Sequence, residues 1–463
     1  MKLFKLLAIT IIYLTIASCA TDEKDEKFDL NLAMHELVFN AEKKPTEISG
    51  LQMVLIKNGK IVFENAVGFA RKTDNTEVPL TLDHKVRIAS ISKFVLTLAF
   101  MSLVEEGKVN LEEDISTYLD FNLRNPNYPD RKITSRQVLT HTSSIRDGSY
   151  YFMGLDGNFK DFFHLGSEPK SAEHYENGSH FANHPKQGPG DYFTYSNLNF
   201  GIISGIIEKV SGKRMDVFVE EKIFDPIGLT SSFNACTLYE NNFDNLATLY
   251  RRGDGGITWS PNGPWVEQVD GSNISCFYES ARYQRRETPD LSSLDQYQIG
   301  RNPTLFSPQG GLRASAKDLA VLMQMLMNDG TFSGAEIISK TSLDKMMTPV
   351  WQYDEGLNNG HTGGESLVGD PKSQGMMTTY GLSTHIIDLK DWGLNNDSRK
   401  LYGHLGSAYG LQGQFWFDPL TNDGIIALVT GLGQDPNLAD KTTPLLAIEE
   451  AVLKIALKGL EQF

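Results

Sequence analysis

The sequence predicts an α+β fold, in which one antiparallel sheet is built from both ends of the chain and an all-helical lobe lies between them. Residues 51–64 contain two apolar runs joined through Asn58-Gly59, and Asn-Gly between apolar runs is a strong signal for a β-hairpin. Residues 413–429 repeat this pattern near the C-terminus. Between about 110 and 305, helical segments alternate with Gly-, Pro- and Asn-rich stretches, which predicts a helical lobe with long insertions.

Helical periodicity and capping patterns predict the remaining elements. An apolar run follows Ser90 and continues to Gly107, a residue type common at helix C-termini. Ser315 and Asp318 have the spacing of a capping box and predict the start of another helix. Residues 443–460 carry apolar side chains at helical spacing, so this closing helix is expected to pack against the sheet.

The chain divides into four predicted segments. Residues 1–18 form a targeting segment, because two lysines precede an apolar core that ends in Ile16-Ala17-Ser18-Cys19. That ending resembles the lipobox of bacterial lipoproteins, which implies a lipid anchor on Cys19 in the bacterial cell envelope, on the periplasmic or surface face. A plain secretory signal with an incidental cysteine is the alternative. An acidic tether (19–45), the main domain (46–435) and a C-terminal helical segment (436–463) follow.

Composition and cysteine content limit the classes of partner. At 463 residues the chain is long enough for two or three packed lobes. Its formal net charge of −15 argues against nucleic acid as a partner. After Cys19, only Cys236 and Cys276 remain. They either form a disulfide, which an exported protein allows, or stay as two buried thiols, and they lack the further ligands of a zinc site.

Ser90 and Lys93 form the first candidate catalytic pair. Three residues turn a helix by roughly 300° and raise it by roughly 4.5 Å, so the amine lies one turn above the hydroxyl on the same face. A helix N-terminus offers free N–H groups to a developing oxyanion, and the apolar run after Lys93 excludes water and so favours the neutral, basic amine. A Ser-x-x-Lys pair of this kind supplies the nucleophile of many serine acyl-transfer enzymes. The same pattern at Ser342 and Lys345 lies in a polar setting and is interpreted as an ordinary exposed helix.

A second candidate element is Tyr195-Ser196-Asn197, which follows a Pro-Gly turn and opens an apolar helix. Tyr195 is suited to relay the serine proton, and the Asn197 amide is suited to hold a carbonyl or amide of the acyl group. Two further Tyr-x-Asn triplets, at Tyr175 and Tyr239, lack this setting and are interpreted as turns.

A third candidate element, His404-Leu405-Gly406-Ser407, lies just before the C-terminal hairpin. Glycine lets a ligand approach the backbone closely, and the N–H of Ser407 can complete an oxyanion hole. The identical string that begins at His164 is not next to a predicted strand. His404, Gly406 and Ser407 are therefore the predicted binding residues of the C-terminal region.

In this order, the three elements resemble those of the serine β-lactamase-like family, which includes class C β-lactamases, D-alanyl-D-alanine carboxypeptidases and related esterases and peptidases. The resemblance runs from about residue 46 to 435. One departure is Ser144, where the family usually has glycine. The resemblance implies a β-lactamase/transpeptidase-like fold with the site at the junction of the two lobes. Residues 104–111, 138–144, 223–229 and 308–313 also look like landmarks of the family.

The resemblance also implies a role for each candidate residue. Ser90 matches the acylated nucleophile and Lys93 its base, while Tyr195 matches the general base that also activates the deacylating water. Asn197 matches the substrate-amide contact, and the backbone N–H groups of Ser90 and Ser407 match the oxyanion hole. No cofactor and no metal are expected.

His404 departs from the family pattern, because β-lactamases and many penicillin-binding proteins carry lysine at this place. An unperturbed histidine is mostly neutral at pH 7, so the positive charge that would meet a substrate carboxylate is weakened or becomes pH-dependent. Esterase-like and peptidase-like relatives often show His-x-Gly here. The departure lowers the expectation of efficient β-lactam hydrolysis.

One insertion combines several histidines with tyrosine and phenylalanine. The spacing fits no common metal motif and no carboxylate cluster accompanies it, so an aromatic loop that lines the cleft is favoured over a metal site. The histidines are His164, His174, His180 and His184.

Together these residues predict an exported, lipid-anchored serine hydrolase that acts through a Ser90 acyl-enzyme on ester or amide substrates, including D-amino acyl esters and peptides of the cell envelope. A β-lactamase or D-Ala-D-Ala carboxypeptidase is the alternative within enzymes. A non-catalytic envelope receptor for acyl ligands or penicillin is the alternative of another class, and the joint presence of Ser90, Lys93 and Tyr195 disfavours it. The expected partners are a small-molecule or cell-wall-derived acyl substrate and, through the anchor, the membrane.

Overall fold

The computed structural model describes a large part of the chain, including every predicted catalytic and oxyanion-hole residue. The predicted targeting segment, Cys19, Cys236, Cys276 and His174 lie outside the described residues. Among the helices formed by these residues, none combines the length and the apolar character that a membrane span requires. The described residues are 28–40, 45–73, 76–148, 151–154, 157–164, 179–235, 237–238, 245–253, 259–269, 294, 297–364, 375–435 and 440–463.

Helices and strands follow one another in an α+β arrangement. The helices are α1 Leu30–Phe39, α2 Ile91–Glu105, α3 Ser135–Leu139, α4 Phe159–His164, α5 Leu198–Ser211, α6 Met215–Val219, α7 Ala316–Met327, α8 Lys340–Met347 and α9 Ala447–Leu460. The strands are β1 Gly50–Lys57, β2 Lys60–Thr73, β3 Thr76–Pro79, β4 Val86–Arg87, β5 Leu249–Arg252, β6 Trp265–Val269, β7 Arg313–Ala314, β8 Thr331–Phe332, β9 Ala335–Glu336, β10 Trp351–Gln352, β11 Thr379–Tyr380, β12 His385–Asp388, β13 Lys400–Ala408, β14 Leu411–Asp418, β15 Asp423–Val429 and β16 Gly431–Leu432.

The main sheet joins the two ends of the chain. Its strand order is β10-β11-β12-β13-β14-β15-β1-β2-β3, and β1 pairs antiparallel with β15, so that Met53 lies opposite Ala427. Both predicted hairpins are present. Asn58 and Gly59 have φ angles of 50° and 75°, which is the left-handed conformation that a two-residue hairpin turn requires. These features confirm the predicted α+β fold.

The two faces of the sheet bury different helices. Alternate residues of a strand point to opposite faces, and in β1 Leu51, Met53 and Leu55 pack with α1 and α9, whereas Val54 and Ile56 pack with α2 and α7. Every residue of α2 from Ile91 to Leu103 is buried, because the helix contacts α5 on one side and β13 and β14 on the other. This position explains its uninterrupted apolar run and places its first turn between the two lobes.

The predicted acidic tether at 19–45 is wrong for residues 30–39, which form α1. Asp29 caps this helix by accepting a hydrogen bond from the N–H of Leu32. The buried residues Leu30, Met34 and Leu37 recur at helical spacing and pack against the sheet and α9. Short amphipathic helices of this kind are stabilised by tertiary packing rather than by local propensity.

The predicted all-helical lobe at about 110–305 is wrong in one region. Strands β5 and β6 occur within it and pair antiparallel with each other. β5 also pairs in parallel with β16, so that Tyr250 lies opposite Gly431. This part of the chain therefore belongs to an extension at the C-terminal end of β15, and the helical lobe consists of α3 to α6 with their connections.

Candidate active site

The first turn of α2 is held in place by the segment that precedes α7. β4 and β7 pair so that Arg87 lies opposite Arg313, and the N–H of Ile88 donates to the carbonyl of Leu312 at 2.9 Å. The next residue, Ala89, has a left-handed φ of 48°, which is unusual for a residue with a side chain and is frequent at functional sites. Ser90 follows as the N-cap of α2.

The Lys93 amine lies at the centre of a buried polar cluster. Its Nζ atom is 2.8 Å from Ser90 Oγ, 2.8 Å from Asn197 Oδ1 and 2.9 Å from the carbonyl oxygen of Gln309. Amide and carbonyl oxygens only accept, so two N–H bonds of the amine point to Asn197 and Gln309. The third hydrogen-bonding position of the Lys93 amine faces Ser90. There, a protonated amine donates an N–H to the hydroxyl oxygen, whereas a neutral amine accepts the hydroxyl proton. A proton can therefore pass between Ser90 and Lys93 without rearrangement of the cluster.

Asp147, which the sequence analysis missed, fixes the Asn197 amide. The Asp147 carboxylate accepts hydrogen bonds from Asn197 Nδ2 at 3.0 Å, Ser196 Oγ at 2.8 Å and the N–H of Leu198 at 2.8 Å. Because the amide nitrogen is held by the carboxylate, the amide oxygen must face Lys93. Burial raises the pKa of Asp147, and the hydrogen bonds from Leu198, Asn197 and Ser196 oppose that effect. An acid three residues after the landmark 138–144 is the only sequence signal for it.

Tyr195 is buried next to Lys93. The Lys93 Nζ atom lies 4.7 Å from the centre of the Tyr195 ring, within the range of a cation–π interaction. The Tyr195 ring also stacks on His141, with a 4.4 Å separation between the ring centroids. His141 Nδ1 accepts the N–H of Ser196 at 3.1 Å, and burial, followed by the charge of Lys93, lowers the pKa of His141 well below 6.5. A neutral imidazole thus orients both Tyr195 and the residue after it.

Gly406 and Ser407 bring β13 to the nucleophile. A Cβ atom on residue 406 would collide with the carbonyl oxygen of Ile88, so glycine is required for β13 to lie against the segment before Ser90. The next residue, Ser407, lines the same cleft as Ser90, and its hydroxyl accepts a hydrogen bond from Gln412 Nε2 at 3.0 Å.

His404 is placed differently from the prediction that it contacts substrate. It is 1% exposed and does not line the cleft around Ser90. His404 Nδ1 lies 2.6 Å from the carbonyl oxygen of Leu405, and Nε2 lies 3.0 Å from the hydroxyl of Tyr380. Since a carbonyl only accepts, Nδ1 carries the proton and the Tyr380 hydroxyl donates to Nε2. Burial, and then the charge of Lys93, lowers the pKa of His404 well below 6.5, so the ring is neutral at pH 7.

The cleft has a volume of about 40 Å³. It brings Ser90, Asn197 and Ser407 together, while Lys93 and Tyr195 are buried and do not line it. In the part of the chain that the structure describes, no group of three or more potential metal ligands occurs, and His180 of the aromatic insertion stacks on Phe162. The lining residues are Arg87, Ala89, Ser90, Tyr151, Asn197, Gln309, Gly310, Ser407, Ala408 and Tyr409.

The fold and the buried cluster around Ser90 and Lys93 are those of a known protein family. The sequence matches the family model described as Beta-lactamase over residues 38–448, which is most of the chain. The protein belongs to the β-lactamase family, whose members include serine hydrolases that act on amides and peptides.

Several curated relatives are named as D-aminopeptidases or as an amidase, and they share about a quarter of the aligned residues with this chain. A D-aminopeptidase from Brucella anthropi is 27% identical over 253 residues, which is 51% of this chain and 45% of that protein. An N-acetylmuramyl-L-alanine amidase from Bacillus subtilis (strain 168) is 24% identical over 328 residues, which is 65% of this chain and 64% of that protein. The chain thus spans about half the length of the D-aminopeptidase relative.

Solved structures share the fold along nearly the whole chain. The D-amino acid amidase from Ochrobactrum anthropi SV3 complexed with D-phenylalanine has a TM-score of 0.59 at 17% identity, with 94% of this chain and 99% of that chain covered. A penicillin-binding protein homologue from Pyrococcus abyssi has a TM-score of 0.55 at 22% identity, with 84% and 71% covered. At this level of identity the likeness establishes the β-lactamase/penicillin-binding-protein fold.

Proposed function

We propose that the protein is an exported, lipid-anchored serine hydrolase that forms an acyl-enzyme on Ser90 and acts on esters or amides. The observation that carries the proposal is the 2.8 Å contact between Lys93 Nζ and Ser90 Oγ, with the amine fixed by the oxygens of Asn197 and Gln309. A nucleophile next to a base that is itself oriented by further groups is the arrangement expected for covalent catalysis.

The proposed reaction has two halves. In acylation, Ser90 Oγ attacks the carbonyl carbon, its proton passes to Lys93, and the oxyanion accepts hydrogen bonds from the N–H groups of Ser90 and Ser407. The bond to the leaving group then breaks as that group takes a proton through Tyr195. In deacylation, water attacks the ester carbon as its proton passes through Tyr195 to Lys93, and Lys93 returns that proton to Ser90 Oγ as the ester bond breaks.

The substrate class is proposed from the relatives and from His404. The relatives are named for D-amino acid and cell-wall amides, which supports D-amino acyl esters, amides and peptides as substrates. The neutral, buried His404 offers no permanent cation to a carboxylate on the leaving group. This disfavours efficient β-lactamase or D-Ala-D-Ala carboxypeptidase activity, which remain the second candidates because of the shared fold.

A panel of p-nitrophenyl esters, with Ser90→Ala as control, tests the proposal. We expect turnover by the unaltered protein, loss of turnover in the variant, and Ser90-dependent labelling by a fluorophosphonate probe. Labelling with one equivalent but no turnover of any ester or of D-phenylalanine amide would instead favour the receptor alternative. Rapid nitrocefin turnover, or D-alanine release from a peptidoglycan peptide, would contradict the substrate assignment based on His404.

Export and anchoring are tested separately. The basis is the targeting pattern that ends at Cys19. We expect metabolic labelling by a radioactive fatty acid in the full chain expressed in a bacterium, and loss of label and of membrane association in Cys19→Ser. A labelled, membrane-bound Cys19→Ser protein would contradict the anchor.

A further inference from the structure

The outward face of α1 is apolar, although it lies on the surface of the protein. Leu32 is 54% exposed and Phe39 is 47% exposed, and their separation of seven residues is close to two helical turns, so both lie on one face. The ring centres of His35 and Phe39 are 4.7 Å apart. A surface helix normally carries charged residues on its outward face. The exposed side chains of α1 are Asn31, Leu32, His35 and Phe39, and none of them is an aspartate, glutamate, lysine or arginine.

This face continues onto the main sheet. The Phe39 ring lies 6.2 Å from the ring of Phe69 in β2, and Phe69 is partly exposed. Lys72, also in β2, places its Nζ atom 4.4 Å from the centre of the Phe69 ring and 3.3 Å from the carboxylate of Glu77. A lysine therefore borders the face at this end. The α1 apolar face consists of Leu32, His35, Phe39 and Phe69.

A second lysine borders the other end of α1. Lys458 of α9 places its Nζ atom 4.5 Å from the centre of the ring of Phe28, which precedes α1. Within α1 the only acid is Glu36, and there is no lysine or arginine. Apolar and aromatic side chains flanked by lysines are typical of a segment at a membrane surface, because the rings enter the acyl-chain boundary while the ammonium groups stay among the lipid headgroups.

The start of α1 is close in sequence to the proposed anchor. Cys19 precedes Phe28 by nine residues, and a chain of that length spans at most about 32 Å when fully extended. A lipid on Cys19 therefore keeps the start of α1 within that distance of the membrane surface. A short tether gives a high effective concentration, so a contact too weak to bind by itself still forms.

The size of the α1 apolar face fits a lipid surface better than a second copy of the chain. About half of the Phe39 side chain is exposed, on the order of 100 Å² for a phenylalanine, whereas a stable protein interface buries roughly 800 Å² on each partner. A contact of this size adds to an anchor but does not replace it. Loss of membrane association in Cys19→Ser is therefore still expected.

We propose that the α1 apolar face docks on the phospholipid surface of the membrane that holds the Cys19 anchor, and that the docked enzyme turns its cleft away from that membrane. This inference rests on the anchor in the proposed function. α1 packs on the face of the sheet opposite to α2. Docking therefore leaves α1, about 10–12 Å thick, and the sheet between the lipid and Ser90. Ser90 then acts on esters and amides that arrive from the aqueous side, such as envelope peptides, rather than on lipids of that membrane.

A photoreactive side chain at residue 39 tests the contact. The full chain, purified with its acyl anchor and with p-benzoylphenylalanine in place of Phe39, is returned to vesicles of phosphatidylethanolamine and phosphatidylglycerol with tritiated acyl chains. Irradiation links the benzophenone to the molecule beside it, and we expect tritium on the protein. The control carries the probe in place of Leu357, which is 73% exposed and follows β10, at the opposite end of the strand order from β2 and β3. It should take up little tritium.

A second pair of variants tests the contribution of the neighbouring side chain. Leu32→Ser, combined with the probe at residue 39, should lower tritium uptake by about fivefold, because burial of half a leucine side chain contributes roughly that factor. Leu357→Ser is the matched control, since it removes an exposed leucine far from α1, and it should leave the uptake unchanged. Because both leucines are exposed, ester turnover and fluorophosphonate labelling of Ser90 should be unchanged, which shows that the variants are folded.

The possible results separate this inference from the proposed function. Acyl chains on Cys19 without tritium transfer at residue 39, or with equal transfer at residues 39 and 357, would overturn the docking and leave the anchor intact. Unchanged transfer in Leu32→Ser, or a crosslink to a second copy of the chain instead of lipid, would also overturn it. Absence of both the acyl chains and the transfer would overturn anchor and docking together, while turnover that depends on Ser90 would still support the hydrolase.

Discussion

The chain contains two Ser-x-x-Lys motifs on helices, and the structure gives them opposite surroundings. Ser90 and Lys93 open α2, which is buried between the sheet and the helical lobe. Ser342 and Lys345 lie on α8, an amphipathic surface helix whose Lys345 side chain is exposed. Ser342 takes part in ordinary capping, since its N–H donates to Ser339 Oγ at 3.2 Å. Of the two motifs with this spacing, Ser90 and Lys93 are thus placed for catalysis, whereas Ser342 and Lys345 are not.

The partners of the two motifs explain the difference. Lys93 contacts Asn197 and Gln309, which are 104 and 216 residues away in the sequence. Ser342 itself is hydrogen-bonded to Ser339, three residues away, and the same helix carries an i,i+4 ion pair between Lys340 and Asp344. A catalytic lysine therefore needs acceptors supplied by distant segments, and a short pattern cannot specify them.

The largest expected effect is on activity when the two lysines are exchanged for methionine. In Lys93→Met the proton acceptor of Ser90 is lost, and kcat/KM on p-nitrophenyl esters should fall by about 10³-fold, within the usual range for a general base. Lys345→Met, the matched control, should keep full activity and a similar melting temperature. Equal losses in the two variants would contradict the assignment of Ser90 as the nucleophile of the functional motif.

A smaller effect is expected when the support of Asn197 is weakened. Asp147→Asn keeps the size of the side chain but places an amide N–H₂ where the carboxylate accepts from Asn197 Nδ2 and Ser196. The Asn197 amide then loses its fixed orientation toward Lys93, and kcat/KM should fall by about 10–100-fold, because small displacements in a catalytic site have effects of this size. The rate of fluorophosphonate labelling should fall in parallel. If the melting temperature drops while the labelling rate is unchanged, Asp147 is only structural.

Lys93 also affects the pKa of His404 when its amine is protonated. The pKa of His404 is lowered by burial first and by Lys93 second, so it should rise in Lys93→Met but stay below 6.5, because the burial remains. In the unaltered protein, unfolded His404 takes up a proton below pH 6.5 while the folded ring stays neutral, so the free energy of unfolding decreases as pH falls through this region. Lys93→Met should reduce this contribution. NMR titration of ¹⁵N-labelled histidine measures the pKa, and no change is expected in Lys345→Met.

Local signals allowed much of the fold to be predicted. The Asn58-Gly59 turn, the Ser315–Asp318 capping box and the apolar run of α2 each involve neighbouring residues, and all are present in the structure. Helix α1 was missed because its apolar residues lie next to a polar, acidic stretch, and the sheet and α9 against which it packs come from distant parts of the sequence.

The candidate site was predictable in its residues but not in its contacts. Asp147 lies 50 residues before Asn197, so nothing local connects them. The hydrogen bond on His404 Nε2 comes from Tyr380 in β11, which reaches it because β11, β12 and β13 are adjacent in the sheet. Arg87 was visible three residues before Ser90, yet its place on the cleft depends on the pairing of β4 with β7.

The smallest expected effect concerns the cap of α8, which contains the second motif. Ser339 Oγ accepts from the N–H of Ser342, and Ser339 also contacts the Glu105 carboxylate at the end of α2. Ser339→Ala should lower the free energy of unfolding by about 1 kcal/mol, as is usual for the loss of an N-cap, and Ser339→Thr should restore it. Neither variant should change kcat/KM, because the hydroxyls around Ser342 stabilise a helix and meet no substrate. A loss of activity in Ser339→Ala at unchanged stability would show that the two motifs are coupled. The second motif would then contribute to catalysis as well as to the stability of a helix.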